Sequence, residues 1–258
     1  LHIHKTGGTT LNTALKWIYG PSNCYTIQEG RAKDPDRWHE VTSSEHLQGF
    51  SLISSHFPFG LGEHIKERHR YFTMLRHPVH RIVSRYYQVK ISYPESNTGR
   101  MSLEEFGSRR QTNLQTSMVS GINACKNPDV ALSSAKRRLQ EDFTAFGITE
   151  RYDESLILIK RKMKWSWSPF YVRGKVTKGK RPSVSEIPES TVEKIRRANE
   201  ADLELYTFAT KHFEAMYQDE PGIDREVNRF QKLNTVVERV APYPLKIYRT
   251  MRDYLTGR

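Results

Sequence analysis

Within six residues near the start of the chain stand a lysine, three threonines and a glycine pair: Lys5-Thr6-Gly7-Gly8-Thr9-Thr10. A glycine-rich turn that opens a helix offers unpaired backbone N–H groups and the positive end of the helix dipole. Gly7 and Gly8 let the backbone come close to an anion. Thr6, Thr9 and Thr10 add hydroxyl donors, and Lys5 adds charge. That is chemistry for a phosphate or a sulfate. The loop does not follow the usual triphosphate pattern, Gly-x-x-x-x-Gly-Lys-Ser/Thr, in which lysine comes after the glycines, nor the Gly-x-Gly-x-x-Gly of a dinucleotide site. A plain strand-to-helix turn is the alternative reading.

A second cluster lies downstream, in Leu75-Arg76-His77-Pro78-Val79-His80-Arg81-Ile82-Val83-Ser84-Arg85-Tyr86-Tyr87. Arg76 closes a predicted strand. Ser84 lies two turns into the helix that Pro78 opens, on a face able to look back at the same edge. Together they would make a second anion site, the arginine through charge and paired donors. Read alone, the stretch is equally a helix-entry turn with solvated charges. His56, after a predicted strand, is a third candidate, because a neutral imidazole can take a proton near pH 7. With ten histidines in the chain, residue type alone would not single it out. His2 and His4 flank the loop and suit either acceptor binding or a structural role.

Hydropathy supplies the frame for these side chains. Residues 1–4 read as the end of a strand, and 11–19 as a helix with Leu11, Leu15 and Ile18 in register, closed by Gly20-Pro21. Residues 21–49 read as loop. Strands are predicted over 50–54, 71–75 and 143–148. Helices are predicted from Pro78, with Val79, Ile82, Val83, Tyr86 and Tyr87 as the buried stripe; from the capping box Ser102-Leu103-Glu104-Glu105; over 130–139; from Thr149 as cap to about Met163; from Pro188 as one long helix to about Tyr217; and over about 222–240. Residues 165–188 break the pattern. Gln111-Thr112-Asn113-Leu114-Gln115-Thr116 reads as a solvated helix or loop face, with contact to an acceptor as the alternative, and Trp165, Trp167 and Phe170 equally as a packing cluster or a wall near an acceptor. Strands alternating with helices imply a single α/β domain over 1–258, with a P-loop-like parallel sheet flanked by helices. Ligands bind beyond the carboxyl ends of such strands, which puts Lys5, His56 and Arg76 along one edge.

Composition narrows the function. Of 258 residues, 41 are Lys or Arg and 29 are Asp or Glu, a net charge of +12. A surplus of that size attracts polyanions of several kinds. Aromatics at 11% are too many for a disordered chain. No segment is long and apolar enough to span a membrane. Cys24 and Cys125 are too few for a disulfide scaffold and are expected as two buried thiols. The chain opens at Leu1 in an apolar run, and residues before it are expected to be missing from view. No metal is expected, since nothing completes the pair His77 and His80.

The loop 5–10 behind a strand, with Leu-Arg-x-Pro-x-x-Arg-x-x-Ser-x-Tyr-Tyr downstream, resembles the sulfotransferases that use 3′-phosphoadenosine 5′-phosphosulfate (PAPS). The carbohydrate branch related to heparan sulfate 2-O- and 6-O-sulfotransferases is the most similar. The similarity continues at Ser54-Ser55-His56-Phe57, at Phe146-Gly147-Ile148-Thr149-Glu150 and at Asn199-Glu200-Ala201-Asp202-Leu203-Glu204-Leu205-Tyr206. The glycine pair resembles the 6-O branch, and the basic loop with its long helix the 2-O branch. The resemblance implies that Lys5, Thr6, Gly7, Gly8, Thr9 and Thr10 hold the 5′-phosphosulfate, and that Arg76 and Ser84 hold the 3′-phosphate. It implies that Lys178, Gly179, Lys180 and Arg181, in the basic loop 165–188, cover the nucleotide. His56 would be the general base and Lys5 would stabilise the leaving oxygen of 3′-phosphoadenosine 5′-phosphate (PAP). The implied acceptor is a hydroxyl, foremost on a glycan, anionic ones included; a tyrosine peptide or a small alcohol is the alternative. An ATP-dependent kinase and a polyanion-binding module are the readings from other classes; no nucleic-acid partner is expected. The absence of the cysteine set of the animal Golgi enzymes points to a bacterial, cytoplasmic relative, with a Golgi lumenal enzyme released from an N-terminal anchor as the alternative.

Overall fold

Among the described residues, four short strands run parallel in two pairs: β1 (Cys24–Ile27) beside β2 (Leu52–Ser55), and β3 (Tyr71–Leu75) beside β4 (Phe143–Ile148). The protein is seen in a computed structural model that describes residues 1–27, 47–109, 112–172 and 182–240. Lys178, Gly179, Lys180 and Arg181 lie outside the described residues. β3 and β4 occupy the predicted apolar runs to the residue. β1 corrects the loop expected over 21–49: its Cys-Tyr-Thr-Ile is too short to show a period, and it forms by pairing with β2.

The strand expected over residues 1–4 does not form a ladder. The Leu1 nitrogen donates to Phe72 O (3.0 Å), the His2 N–H to Ser55 O (2.8 Å), and Thr73 Oγ1 to Leu1 O (3.0 Å). The segment is an extended wedge between β2 and β3, with Ile3 wholly buried. It cannot run further as a strand because Lys5 already turns, with φ of 68°.

Helices clothe the strands. α1 (Gly8–Tyr19) buries Leu11, Ala14 and Leu15 and stops at Gly20, whose φ of 85° favours glycine. α2 (Pro78–Ser92) opens on proline, whose missing N–H is harmless in the first turn. α3 (Leu103–Arg109) starts at the predicted capping box: Glu105 N–H donates to Ser102 Oγ (3.1 Å) and Ser102 N–H to Glu105 Oε2 (3.3 Å). α4 (Leu114–Ser120), α5 (Pro128–Glu141) and α6 (Tyr152–Met163) follow. The main core joins Leu139, Phe143, Phe146, Leu156, Leu205 and Phe213; a second joins Val79, Ile82, Phe106, Val192 and Ile195.

Three expectations change here. The long helix from Pro188 is two, α7 (Glu189–Ala198) and α8 (Glu200–Gln218), broken at Asn199. The buried Asn199 amide donates to Gly107 O (3.0 Å) and Ile195 O (2.7 Å), so its side chain replaces helical bonding. Thr149 caps no helix; its hydroxyl lies within bonding distance of Thr6 O (3.1 Å) and Leu75 O (2.9 Å), and α6 begins after a 3₁₀ turn, Thr149–Arg151. Both thiols are free, but Cys125 is exposed and Cys24 only half-buried. A final helix, α9 (Ile223–Val240), fits its predicted range. No helix of the described residues is long and apolar enough to cross a membrane.

Candidate active site

The carbonyls of the loop are held from behind, one after another. Ile3 O accepts from Thr6 Oγ1 (2.9 Å), Lys5 O from Arg76 Nη1 (3.0 Å), Thr6 O from Thr149 Oγ1 (3.1 Å), and Gly7 O from the Tyr152 hydroxyl (3.0 Å). No peptide here is cis, and a trans peptide points its N–H opposite to its C=O. The amides of Thr6, Gly7 and Gly8 therefore face away from the partners that hold the carbonyls. The N–H groups of Thr9 and Thr10 follow in the first turn of α1, where no side chain caps them. Successive outward amides at a helix start form an anion cradle. Lys5 contributes its charge from the left-handed region, a strained conformation for a residue with a Cβ.

The glycines and Thr6 act differently from the expectation. A Cβ on Gly7 would lie 2.6 Å from Tyr152, and one on Gly8 would lie 1.8 Å from His2 Nε2. The pair thus makes room for the protein's own rings. Gly7 is in addition at φ 82°, where other side chains are strained. Thr6 is buried, and its only hydroxyl hydrogen goes to Ile3 O, so it serves the loop's shape.

Arg76 ties the loop to the strand ends. Its guanidinium reaches Lys5 O, and its backbone is clamped at both poles by Gln115: Arg76 N–H donates to Gln115 Oε1 (2.9 Å), and Gln115 Nε2 donates to Arg76 O (2.8 Å). Gln115 and Thr116 are buried, which overturns the solvated face expected there. Both are held by the buried Asp202, whose carboxylate accepts from Gln115 N–H (3.1 Å), Thr116 N–H (2.7 Å) and Thr116 Oγ1 (2.8 Å) at the start of α4. Arg81, wholly buried, lies 3.9 Å from Asp202. Burial pushes the Arg81 guanidinium down to about 10 and the Asp202 carboxyl up, each opposed by the partner's charge. Glu150 accepts from His77 N–H (3.1 Å) and the Tyr206 hydroxyl (3.0 Å) and lies 3.9 Å from Arg76 Nε. Replacing Gln115 with alanine should weaken binding of an anion at the loop severalfold, roughly the net effect of one or two hydrogen bonds. Calorimetry on the variant beside the parent chain checks it.

His56 stands just beyond β2, as predicted. Its Nδ1 lies 2.7 Å from His2 O. A carbonyl only accepts, so Nδ1 carries the hydrogen and Nε2 is the nitrogen with the lone pair. His4 stacks on His56 at 3.8 Å and 18°, and His2 tilts against it at 4.2 Å. Burial, then the charge of His56, hold His4 down to about 3, and Arg85, Arg81 and Lys5 add to that; His2 is also held to about 3, by burial, then His56, then His4 and the Leu1 amino group. The field at His4 is thus set by cations. Imidazoles held neutral in the fold but free to protonate when unfolded make stability fall as pH drops from about 6.5 toward 3. The urea midpoint should therefore decline over that window, and decline less in His4→Phe.

The structure brings Lys5, Arg76 and His56 to one edge. Ser84 is buried on α2, between Arg81 and Arg85 in the chain, and those arginines, not singled out in the sequence, are the α2 groups whose charge reaches His4. Thr9 is exposed and Thr10 half-buried at the cradle's rim. A cavity of about 500 Å³ is walled by His2, Thr6, Gly8, Asn12, Ser54 and Phe72 among others; Lys5, His56, Arg76 and Ser84 do not line it. Among the described residues, no group of three or more His, Cys, Asp or Glu is placed to hold a metal ion.

An α/β scaffold that turns backbone amides outward at the start of a helix, with a tautomer-fixed imidazole close by in the fold, is an arrangement suited to an anionic group. Comparison with known proteins makes the class specific. The sulfotransferase family model matches residues 1–209, and the chain belongs to that family. Over 276 aligned positions it is 26% identical to heparan-sulfate 6-O-sulfotransferase 2 of Danio rerio, covering 84% of this chain. The chain spans 58% of that relative's length.

Proposed function

We propose that the chain moves a sulfuryl group from PAPS to a hydroxyl of a glycan, working as one unit over residues 1–258. The observation that carries this reading is the cradle: the carbonyls of Lys5, Thr6 and Gly7 are each held by Arg76, Thr149 or Tyr152, which turns the following amides outward, with Lys5 in the same loop. Backbone amides and guanidinium suit the oxyanions of a phosphosulfate and a second phosphate. The donor set, rich in N–H and poor in carboxylates, fits such a group.

In this reading the amides of residues 6–10 and Lys5 bind the 5′-phosphosulfate, and Arg76 with Ser84 binds the 3′-phosphate. When bound, PAPS supplies an activated sulfuryl group and a good leaving group. The remaining work falls to the protein. His56 Nε2 takes the proton from the acceptor hydroxyl as its oxygen becomes nucleophilic, and the His2 carbonyl keeps the ring in the required tautomer. Lys5 and the amides meet the charge that grows on the departing phosphate oxygen, and holding both partners in line supplies much of the remaining acceleration.

A glycan is the favoured acceptor because the relative is by name a heparan-sulfate enzyme and the chain carries a net charge of +12. The test is transfer of ³⁵S from labelled PAPS to heparosan, chondroitin, tyrosine peptides and simple alcohols, side by side. Label in a polysaccharide is the expected result. Label confined to peptide or alcohol would overturn the glycan assignment, and label in none of them would overturn the transfer itself.

A further inference from the structure

His4 takes no part in the donor cradle or in the proton step, yet its ring lies flat against the base. The His4 and His56 centroids are 3.8 Å apart with planes 18° from parallel, closer and flatter than His2 at 4.2 Å and 33°. His56 Nδ1–H is already committed to His2 O, so a proton taken at Nε2 turns the whole ring into a cation. A neutral aromatic face in van der Waals contact stabilises such a cation.

The groups around the stack decide which ring carries the charge. Lys5 of the loop and Arg81 and Arg85 of α2 face His4, and His56 and His4 face His2. Burial first, then the charge of His56, with Arg85, Arg81 and Lys5 adding to them, keep His4 uncharged to about pH 3, so it presents a neutral face to His56 through the working range.

We propose that His4 is a positioning residue for His56, and that its stacked, uncharged ring stabilises the imidazolium that His56 becomes when it accepts the acceptor's proton. The catalytic half of this proposal rests on His56 being the base; the stack itself does not. Leucine at position 4 keeps the bulk without the π face, and phenylalanine keeps the face without a titratable nitrogen.

The experiment follows the imidazole resonances of His56 by NMR against pH, in the full chain, for wild type, His4→Leu and His4→Phe. PAP calorimetry on each variant shows that the cradle is intact. Losing a stabiliser of the cation lowers its titration midpoint, so His4→Leu should titrate about half a unit to one unit lower, and His4→Phe should stay near wild type. In turnover, His4→Leu should lower kcat roughly three- to tenfold and move the acid limb of the pH profile down with it, with the KM for PAPS unchanged. A purely packing role would leave midpoint and acid limb in place. An unmoved midpoint in His4→Leu, or a His4→Phe that behaves like His4→Leu, overturns the proposal. His56→Ala, assayed alongside, separates the two failures. If that variant transfers at the wild-type rate, the base assignment and the catalytic use of the stack both fall. If it is inactive and the midpoint is unmoved, the stack alone falls.

Discussion

Replacing His56 with alanine is expected to lower kcat for sulfuryl transfer by roughly 10²–10⁴-fold, the range for loss of a positioned general base. PAP affinity and thermal stability should stay near wild type. The expectation follows from how the ring is held. Its Nδ1–H is bonded to His2 O at 2.7 Å and its faces are covered by His2 and His4, so Nε2 is the nitrogen that can serve a substrate. Nothing in the cradle is built from His56, since its carbonyls are tied by Thr6, Arg76, Thr149 and Tyr152. The variant should therefore bind and not turn over. Single-turnover transfer of ³⁵S beside PAP calorimetry checks both halves, and near wild-type transfer would remove His56 from the proton step.

Lys5→Ala is the second large effect. A donor aimed at charge that develops during reaction contributes on the order of 3 kcal/mol, about a hundredfold in rate. Lys5 is the cation of the loop itself and sits at φ 68°, which fixes where its side chain departs from the backbone. Its carbonyl is held by Arg76 Nη1 whatever the side chain is, so alanine should leave the loop in place. The loss should fall mainly on kcat, with a smaller rise in the Kd for PAP. Lys5→Arg, which restores charge on a different geometry, should recover only part of the rate. An equal loss in PAP affinity and in kcat/KM would show that Lys5 only binds.

Much of this arrangement could be read before the fold was known, and the parts that could not share a cause. β3 and β4 are mostly apolar runs, each with most of its residues buried, so hydropathy marks their ends. The loop 5–10 was legible because glycine, lysine and threonine at that spacing have few other uses. His56 and Arg76 were legible as strand-end residues. β1, by contrast, exists only through β2, and Asn199 breaks a helix that its sequence would continue, because it bonds Gly107 and Asn113 on distant elements. Gln115 looked like surface because its two partners, the Arg76 backbone and Asp202, are far away in the chain. The role of Gly8 was hidden for the same reason: the ring that needs its missing Cβ belongs to His2, which folds back over the helix start. Local pattern marked the loop and the strand-end residues; it could not mark the buried polar side chains that hold them still.

The central claim is that the first turn of α1 cradles a phosphosulfate donor and not a nucleoside triphosphate. Calorimetric titration with PAP in metal-free buffer tests it most directly, with ATP and Mg²⁺ titrated in parallel. Saturable heat with PAP, reduced in Arg76→Ala and little affected by Mg²⁺, is the expected result. No heat with PAP beside clear Mg²⁺-dependent binding of ATP would contradict it.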